Sequence, residues 1–184
     1  MKFSVLISVY HKENPKFVEL ALNSIINQTL MPNEIVLIKD GPLTENLNTV
    51  IRNYQELNPN LFKVITLEKN QGLGNALAIG TKHCKHELIA RMDTDDIARN
   101  NRFETQVNFL INHPEIDVVG SNIEEFDKEP GDLKRFKINP ESHEDLIKQI
   151  KLKSPFNHPS IMMRKASLLK SGGYNGDILL FEDY

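Results

Sequence analysis

The chain has 184 residues, of which 40% are hydrophobic and 26% charged, enough for one domain with a sizeable core. Its net charge of −3 and its lack of a basic stripe with interleaved aromatics argue against wrapping nucleic acid. Cys84 is the single cysteine, which excludes a disulfide framework and a cysteine-based zinc site and fits a reducing compartment.

The N-terminal run "FSVLISV", Phe3–Val9, is rich in β-branched residues and reads as a strand. It is too short for a signal peptide, and no run approaches the roughly 18 apolar residues of a membrane span. Asn14 is placed to cap a helix with Pro15 in its first turn. Phe17, Val18, Ala21, Leu22 and Ile25 then form a stripe at helical spacing. Residues 34–40 read as a second strand, ended by Gly41-Pro42. Thr44 can cap the next helix, whose stripe is Leu47, Val50, Ile51 and Tyr54.

Residues 62–68 are a third strand. A glycine-rich start leads into a helix with Leu73, Leu77, Gly80 and Cys84 on one side. Residues 87–93 are a fourth strand. Phe103, Val107, Leu110 and Ile111 mark a helix before Pro114, and residues 116–126 read as a fifth strand. Beyond residue 127 the pattern changes. "DKEPGD" is a turn and "RFKIN" a short strand. Ser142 caps a helix through Leu146, Ile147 and Ile150, with Glu144 and Asp145 at its positive end. "HPSIMMR" reads as a strand, and "KASLLKSGGY" as a short helix stopped by Gly172-Gly173. The final "ILLFEDY" has no helix cap or polar tail, so the chain is expected to be truncated there.

Strand–helix alternation at this spacing predicts an α/β fold, a mostly parallel central sheet with helices on both faces. Ligands of such sheets lie outside the carboxyl ends of the strands. Four polar clusters fall there: Tyr10-His11-Lys12, Lys39-Asp40-Gly41, Asn70-Gln71-Gly72, and Asp93 to Asp96. In the last, three carboxylates fall within four positions, and they repel unless a positive charge joins them. Asp93 and Asp95 across a turn suit Mg²⁺ or Mn²⁺ bridging to a diphosphate substrate. The alternative is an acidic loop capping the next helix through Asp96 or Asn100. A calcium-binding loop is excluded, because its glycine and distant glutamate are missing.

The segments "SVLISVYHKENPKFVELALNSIINQT", "EIVLIKDGP", "NQGLGNALAIG", "IARMDTDDIA", "SGGY" and "FED", in this order, resemble the family-2 glycosyltransferases and their GT-A fold. The "KDGPLT" and "ARMDTDD" versions are similar to bacterial enzymes of exopolysaccharide or other surface-glycan synthesis, of the amylovoran type. The resemblance covers nearly the whole chain. It implies a single GT-A domain, with residues 1–127 as the nucleotide-binding half and 128–184 as the acceptor-side half.

It further implies that Ser8, Val9 and Tyr10 cradle the nucleoside, with Tyr10 against the base. Asp40 would accept from the uracil or ribose edge, although Lys39 stands where the family usually has a first acid. Gly72 and Asn75 would close over the nucleotide, and Arg91 would pair with Asp93 or a phosphate. Asp93 would bind ribose or the metal, and Asp95 the metal, while Asp96 caps the next helix. His158 would contact metal or phosphate. Asp183 would be the catalytic base, with Glu182 orienting or contacting the acceptor.

The implied reaction is inverting, metal-dependent transfer from a nucleotide-diphospho-sugar, UDP-linked by expectation, to a glycan or lipid-linked acceptor. The implied place is the cytoplasm, with peripheral association at the inner membrane face and no nucleic-acid partner. Two other readings stay open. A sugar-1-phosphate nucleotidylyltransferase would need a glycine-rich basic loop after the first strand, where "SVYHKENP" has no glycine. A non-catalytic nucleotide-sugar-binding module would bind donor without hydrolysing it.

Overall fold

Seven consecutive residues without a charged side chain, Phe3–Val9, form the central strand β1, and all but Ser8 are buried. The computed structural model describes residues 1–176. Its further strands are β2 (Glu34–Lys39), β3 (Phe62–Thr66), β4 (Leu88–Met92), β5 (Val118–Val119), β6 (Ile123–Glu125), β7 (Arg135–Lys137) and β8 (Met162–Arg164). The helices are α1 (Pro15–Ile26), α2 (Glu45–Leu57), α3 (Leu73–His83), α4 (Arg102–Asn112), α5 (His143–Gln149) and α6 (Lys165–Lys170).

The main sheet has the order β3-β2-β1-β4-β8-β5. Its first four strands are parallel, with Leu6 level with both Val36 and Arg91. β8 runs antiparallel between β4 and β5, so residues late in the chain complete the sheet. β6 and β7 form a separate antiparallel ribbon.

Parallel strands must be covered on both faces, and alternate side chains supply both layers. Val5, Ile7 and Val9 pack against α1, α2 and α4 through Val18, Leu22, Ile51 and Phe103. Leu6, Val36 and Ile38 pack against α3 through Ala76 and Leu77. Here Gly80 lets helix and sheet touch, since a Cβ would lie 2.3 Å from Leu6 Cδ1. The predicted caps form: Asn14 Oδ1 accepts from the Lys16 N–H at 3.0 Å, Thr44 Oγ1 from Leu47 at 3.4 Å, and Ser142 Oγ from Asp145 at 3.2 Å.

The expected mostly parallel sheet with helices on both faces is present. Three local expectations need correction. Residues 116–126 are not one strand: Gly120-Ser121-Asn122 break it, and β5 and β6 join different sheets. Ser160 and Asn157 hold that break, with Ser160 Oγ accepting from the Ser121 N–H at 3.0 Å and Asn157 Nδ2 donating to the Ser121 carbonyl at 3.0 Å. "HPSIMMR" starts as a 3₁₀ turn, His158–Ser160, before β8. Phe17 lies outside the buried stripe of α1 and is exposed.

The strand order also fixes where a ligand can enter. The chain steps outward from β1 to β3, then returns to place β4 on β1's other side. The loops after β1 and β4 therefore leave neighbouring strands at the carboxyl edge of the sheet and lead into α1 and α4 on the same face, and the crevice outside that edge is where ligands of such sheets bind.

Candidate functional site

Asp93, Asp95 and Asp96 follow β4 directly into that crevice. Each offers a carboxylate oxygen lying within 4.8 Å of those of the other two. Glu13, on the loop after β1, is half-buried beside them. Burial first, and then repulsion by Asp95 and Asp93, raises its pKa, while a hydrogen bond with the buried Thr94 opposes the rise. Asp96 is pushed up to about 6 by burial and then by Asp93 and Asp95, against the pull of Arg91 and Arg102.

Two arginines lie beneath the acids, Arg91 buried and Arg102 half-buried. Arg91 is 1% exposed and pairs through Nη1 with Asp93 Oδ1, while its Nε has no hydrogen-bond partner. Arg102 donates through Nη2 to the carbonyls of Arg91 at 2.8 Å and Ile161 at 3.2 Å, and through Nε to Gln106 Oε1 at 3.1 Å. Burial lowers its pKa to about 10, with Asp96 the largest opposing influence. Above the acids opens a cleft of about 1000 Å³, walled by Phe17 and Leu20 of α1, His158, and Glu125, Arg135 and Lys137 of the β6–β7 ribbon.

Close hard oxygens that repel one another are the donor set a divalent cation satisfies. Asp96 belongs to this set and does not cap α4. The N-cap of α4 is Asn101, without a side-chain cap bond, and Asp96 instead faces the charges of Arg91 and Arg102.

The family model for glycosyl transferase family 2 matches residues 4–173. The chain belongs to glycosyl transferase family 2. It is 43% identical, over its full length, to the UDP-Gal:alpha-D-GlcNAc-diphosphoundecaprenol beta-1,3-galactosyltransferase of Escherichia coli. It is 42% identical, over 99% of its length, to the amylovoran biosynthesis glycosyltransferase AmsE of Erwinia amylovora. It spans 65% and 66% of those two proteins, just under two thirds. Among solved structures, residues 1–349 of TarS from S. aureus superpose with a TM-score of 0.74 at 25% identity, covering 100% of this chain and 53% of that one. The fold is GT-A.

Against that family pattern, the expected site residues divide. Tyr10 follows β1 directly and is exposed at the rim, with the His11 ring 5.7 Å away. Ser8 is half-buried on the α3 side of the sheet. Val9 turns its side chain by strand alternation into the α1 layer, and its carbonyl accepts the Asp40 N–H at 2.8 Å. Asp40 is 3% exposed, and its carboxylate accepts from the backbone N–H groups of Gln71 at 2.7 Å and Gly72 at 3.0 Å, so it braces that turn. Lys39 donates to Asn48 Oδ1 of α2 at 2.9 Å.

Gly72 takes φ +85° at the start of α3, a conformation that favours glycine. Asn75 donates to the Gln71 carbonyl at 3.0 Å and packs beneath Gly176, where a Cβ would lie 2.1 Å from its side chain. His158 is buried with Nε2 3.1 Å from the Tyr174 hydroxyl, outside the three-carboxylate group but on the same cleft. Glu182 and Asp183 lie outside the described residues.

Two members of the site were not anticipated from sequence. Glu13 gave no signal beyond its place in a polar strand end. Arg102 did leave one: Arg102 and Gln106 form a polar pair at i, i+4 beside the buried Phe103 and Val107, where an amphipathic helix should be apolar.

Proposed function

We propose that this chain is the donor-binding part of an inverting, metal-dependent glycosyltransferase of surface-polysaccharide synthesis. It would move a sugar from a UDP-sugar to a lipid-linked glycan at the cytoplasmic face of a membrane. The observation that carries the reading is the group of Asp93, Asp95 and Asp96 at the β1/β4 switch point of a family 2 chain. Support for the donor and acceptor comes from the E. coli relative, whose name specifies UDP-Gal and a diphosphoundecaprenol-linked sugar.

The three aspartates would hold Mn²⁺ or Mg²⁺, whose contribution when bound is to neutralise the departing diphosphate. Arg91 orients Asp93 from below through their ion pair. Tyr10 offers its ring to the base from the rim. By the family's order, Asp183 takes the proton of the acceptor hydroxyl, and Glu182 orients the acceptor. The hydroxyl oxygen then bonds to the anomeric carbon as the bond to the diphosphate oxygen breaks. A single displacement inverts that carbon.

The test is calorimetric titration of UDP into the chain with MnCl₂ or with EDTA. Binding is expected only with the metal, and Asp95→Ala is expected to weaken it by about 100-fold or more. Equal affinity in EDTA, or an unaffected Asp95→Ala variant, would overturn the reading.

A further inference from the structure

Between residues 127 and 154 no side chain is buried. This excursion nevertheless carries Leu133, Phe136, Ile138, Ile147, Ile150 and Leu152, exposed by between 42% at Ile150 and 88% at Leu152. So many large apolar side chains left open on one excursion mark an interaction surface. Residues 133–153 also hold six basic residues against three acidic ones. That is a net +3 in a chain of −3, so the remainder carries −6; Asp127, Glu129 and Asp132, with Lys128 among them, at the start of the excursion bring residues 127–154 as a whole to +1, so the basic stretch begins at Leu133.

The basic residues interleave with the apolar ones, as in "LKRFKI" and "IKLK". Arg135 and Lys137 share Glu125, and Lys148 pairs with Asp145. Lys134, Lys151 and Lys153 are exposed and have no ion pair among the described residues.

We infer that the β7–α5 excursion is a membrane-surface contact, taking the anionic headgroups of a phospholipid leaflet. Lysine stems lie along apolar surface while their ammonium groups reach phosphates, and the bulky apolar side chains enter the headgroup boundary. Two other occupants fit less well. Protein interfaces are depleted in lysine. A second copy meeting this face symmetrically would set +3 against +3. The ribbon's Arg135 and Lys137 also wall the cleft above Asp93 and Asp95, so the contact borders the site. The proposed function enters only here, in giving the contact a purpose: a lipid-linked acceptor would arrive from the same side.

The test is co-sedimentation of the purified chain with vesicles of phosphatidylcholine, with and without phosphatidylglycerol. Binding is expected to need phosphatidylglycerol and to fall with salt. The triple variant Lys134→Glu/Lys151→Glu/Lys153→Glu is expected to bind at least about tenfold less. Ile138→Ser/Leu152→Ser is expected to weaken binding with an unchanged far-UV spectrum. Both variants should keep metal-dependent UDP binding, which separates failure of the surface from failure of the nucleotide site. Partition equal to that on neutral vesicles, binding unaffected by the triple variant, or a dimer in light scattering that these substitutions dissolve would each overturn the inference.

Discussion

The sheet and the β6–α5 excursion carry similar kinds of apolar residue to opposite ends. In β1 and β2 every large apolar side chain is buried, because helices cover both faces. In the excursion a two-stranded ribbon and a seven-residue helix meet no covering layer among the described residues. Elements this small are marginal alone. Exposed pairs hold them, such as Glu125 with Lys137 at 2.7 Å, together with the Asp132 carboxylate, which accepts from the N–H groups of Asp127, Lys128 and Glu129. Exposed pairs contribute little. Apolar content therefore does not locate the core of this chain; coverage by a second layer does.

The strongest way to break that contrast is a matched pair of truncations. Phe103 is fully buried, with its ring edge-on to Phe3 at 5.2 Å. Phe103→Ala is expected to cost about 3–5 kcal/mol in urea denaturation. Phe136→Ala, in the open ribbon, should stay within about 0.5 kcal/mol. Equal losses would mean that the excursion shares the core.

A smaller effect tests how closely the sheet's own layers fit. At Gly80 an added Cβ meets Leu6 Cδ1 at 2.3 Å and Ile38 Cγ1 at 3.1 Å, on adjoining strands. Gly80→Ala is expected to lose about 1–3 kcal/mol by overpacking, although alanine is the better helix former. A gain in melting temperature would show that α3 shifts freely and that this layer is looser than the contacts imply.

What the sequence made legible follows the same division. β1, α1, β2 and α2 could be read to within about a residue, since a period of two or 3.6 is enforced wherever both faces or one stripe are buried. Breaks decided by distant partners could not. Nothing near Gly120 announces that Ser160 and Asn157 will take up the Ser121 backbone and turn one apparent strand into two. The same holds in the site. Asp93 and Asp95 are visible as a repulsive pair at a strand end, but Asp96 looks like helix punctuation until Arg91 and Arg102 appear beneath it. The side of Val9 was legible too: alternation along β1 already sends it to the face of Val5 and Ile7, away from Ser8.

The smallest effect separates the regions most directly, because it uses the same interaction in each. Asn14 Oδ1 caps α1 at 3.0 Å and Ser142 Oγ caps α5 at 3.2 Å. Both satisfy a backbone N–H left open at a helix start, and each is worth about 1 kcal/mol to its own helix. The consequence depends on what each helix is joined to. α1 buries Val18, Ala21, Leu22 and Ile25 against the sheet, so its first turn cannot fray without loosening the core. α5 has no fully buried side chain among the described residues, so its first turn frays alone. Asn14→Ala should therefore lower global stability by about 1 kcal/mol in denaturant. Ser142→Ala should leave that midpoint unmoved and appear only as faster amide exchange in residues 143–146. A Ser142→Ala variant that shifted the global midpoint as far as Asn14→Ala would show that the excursion unfolds with the sheet, and its surface would then have to be read as part of one cooperative unit.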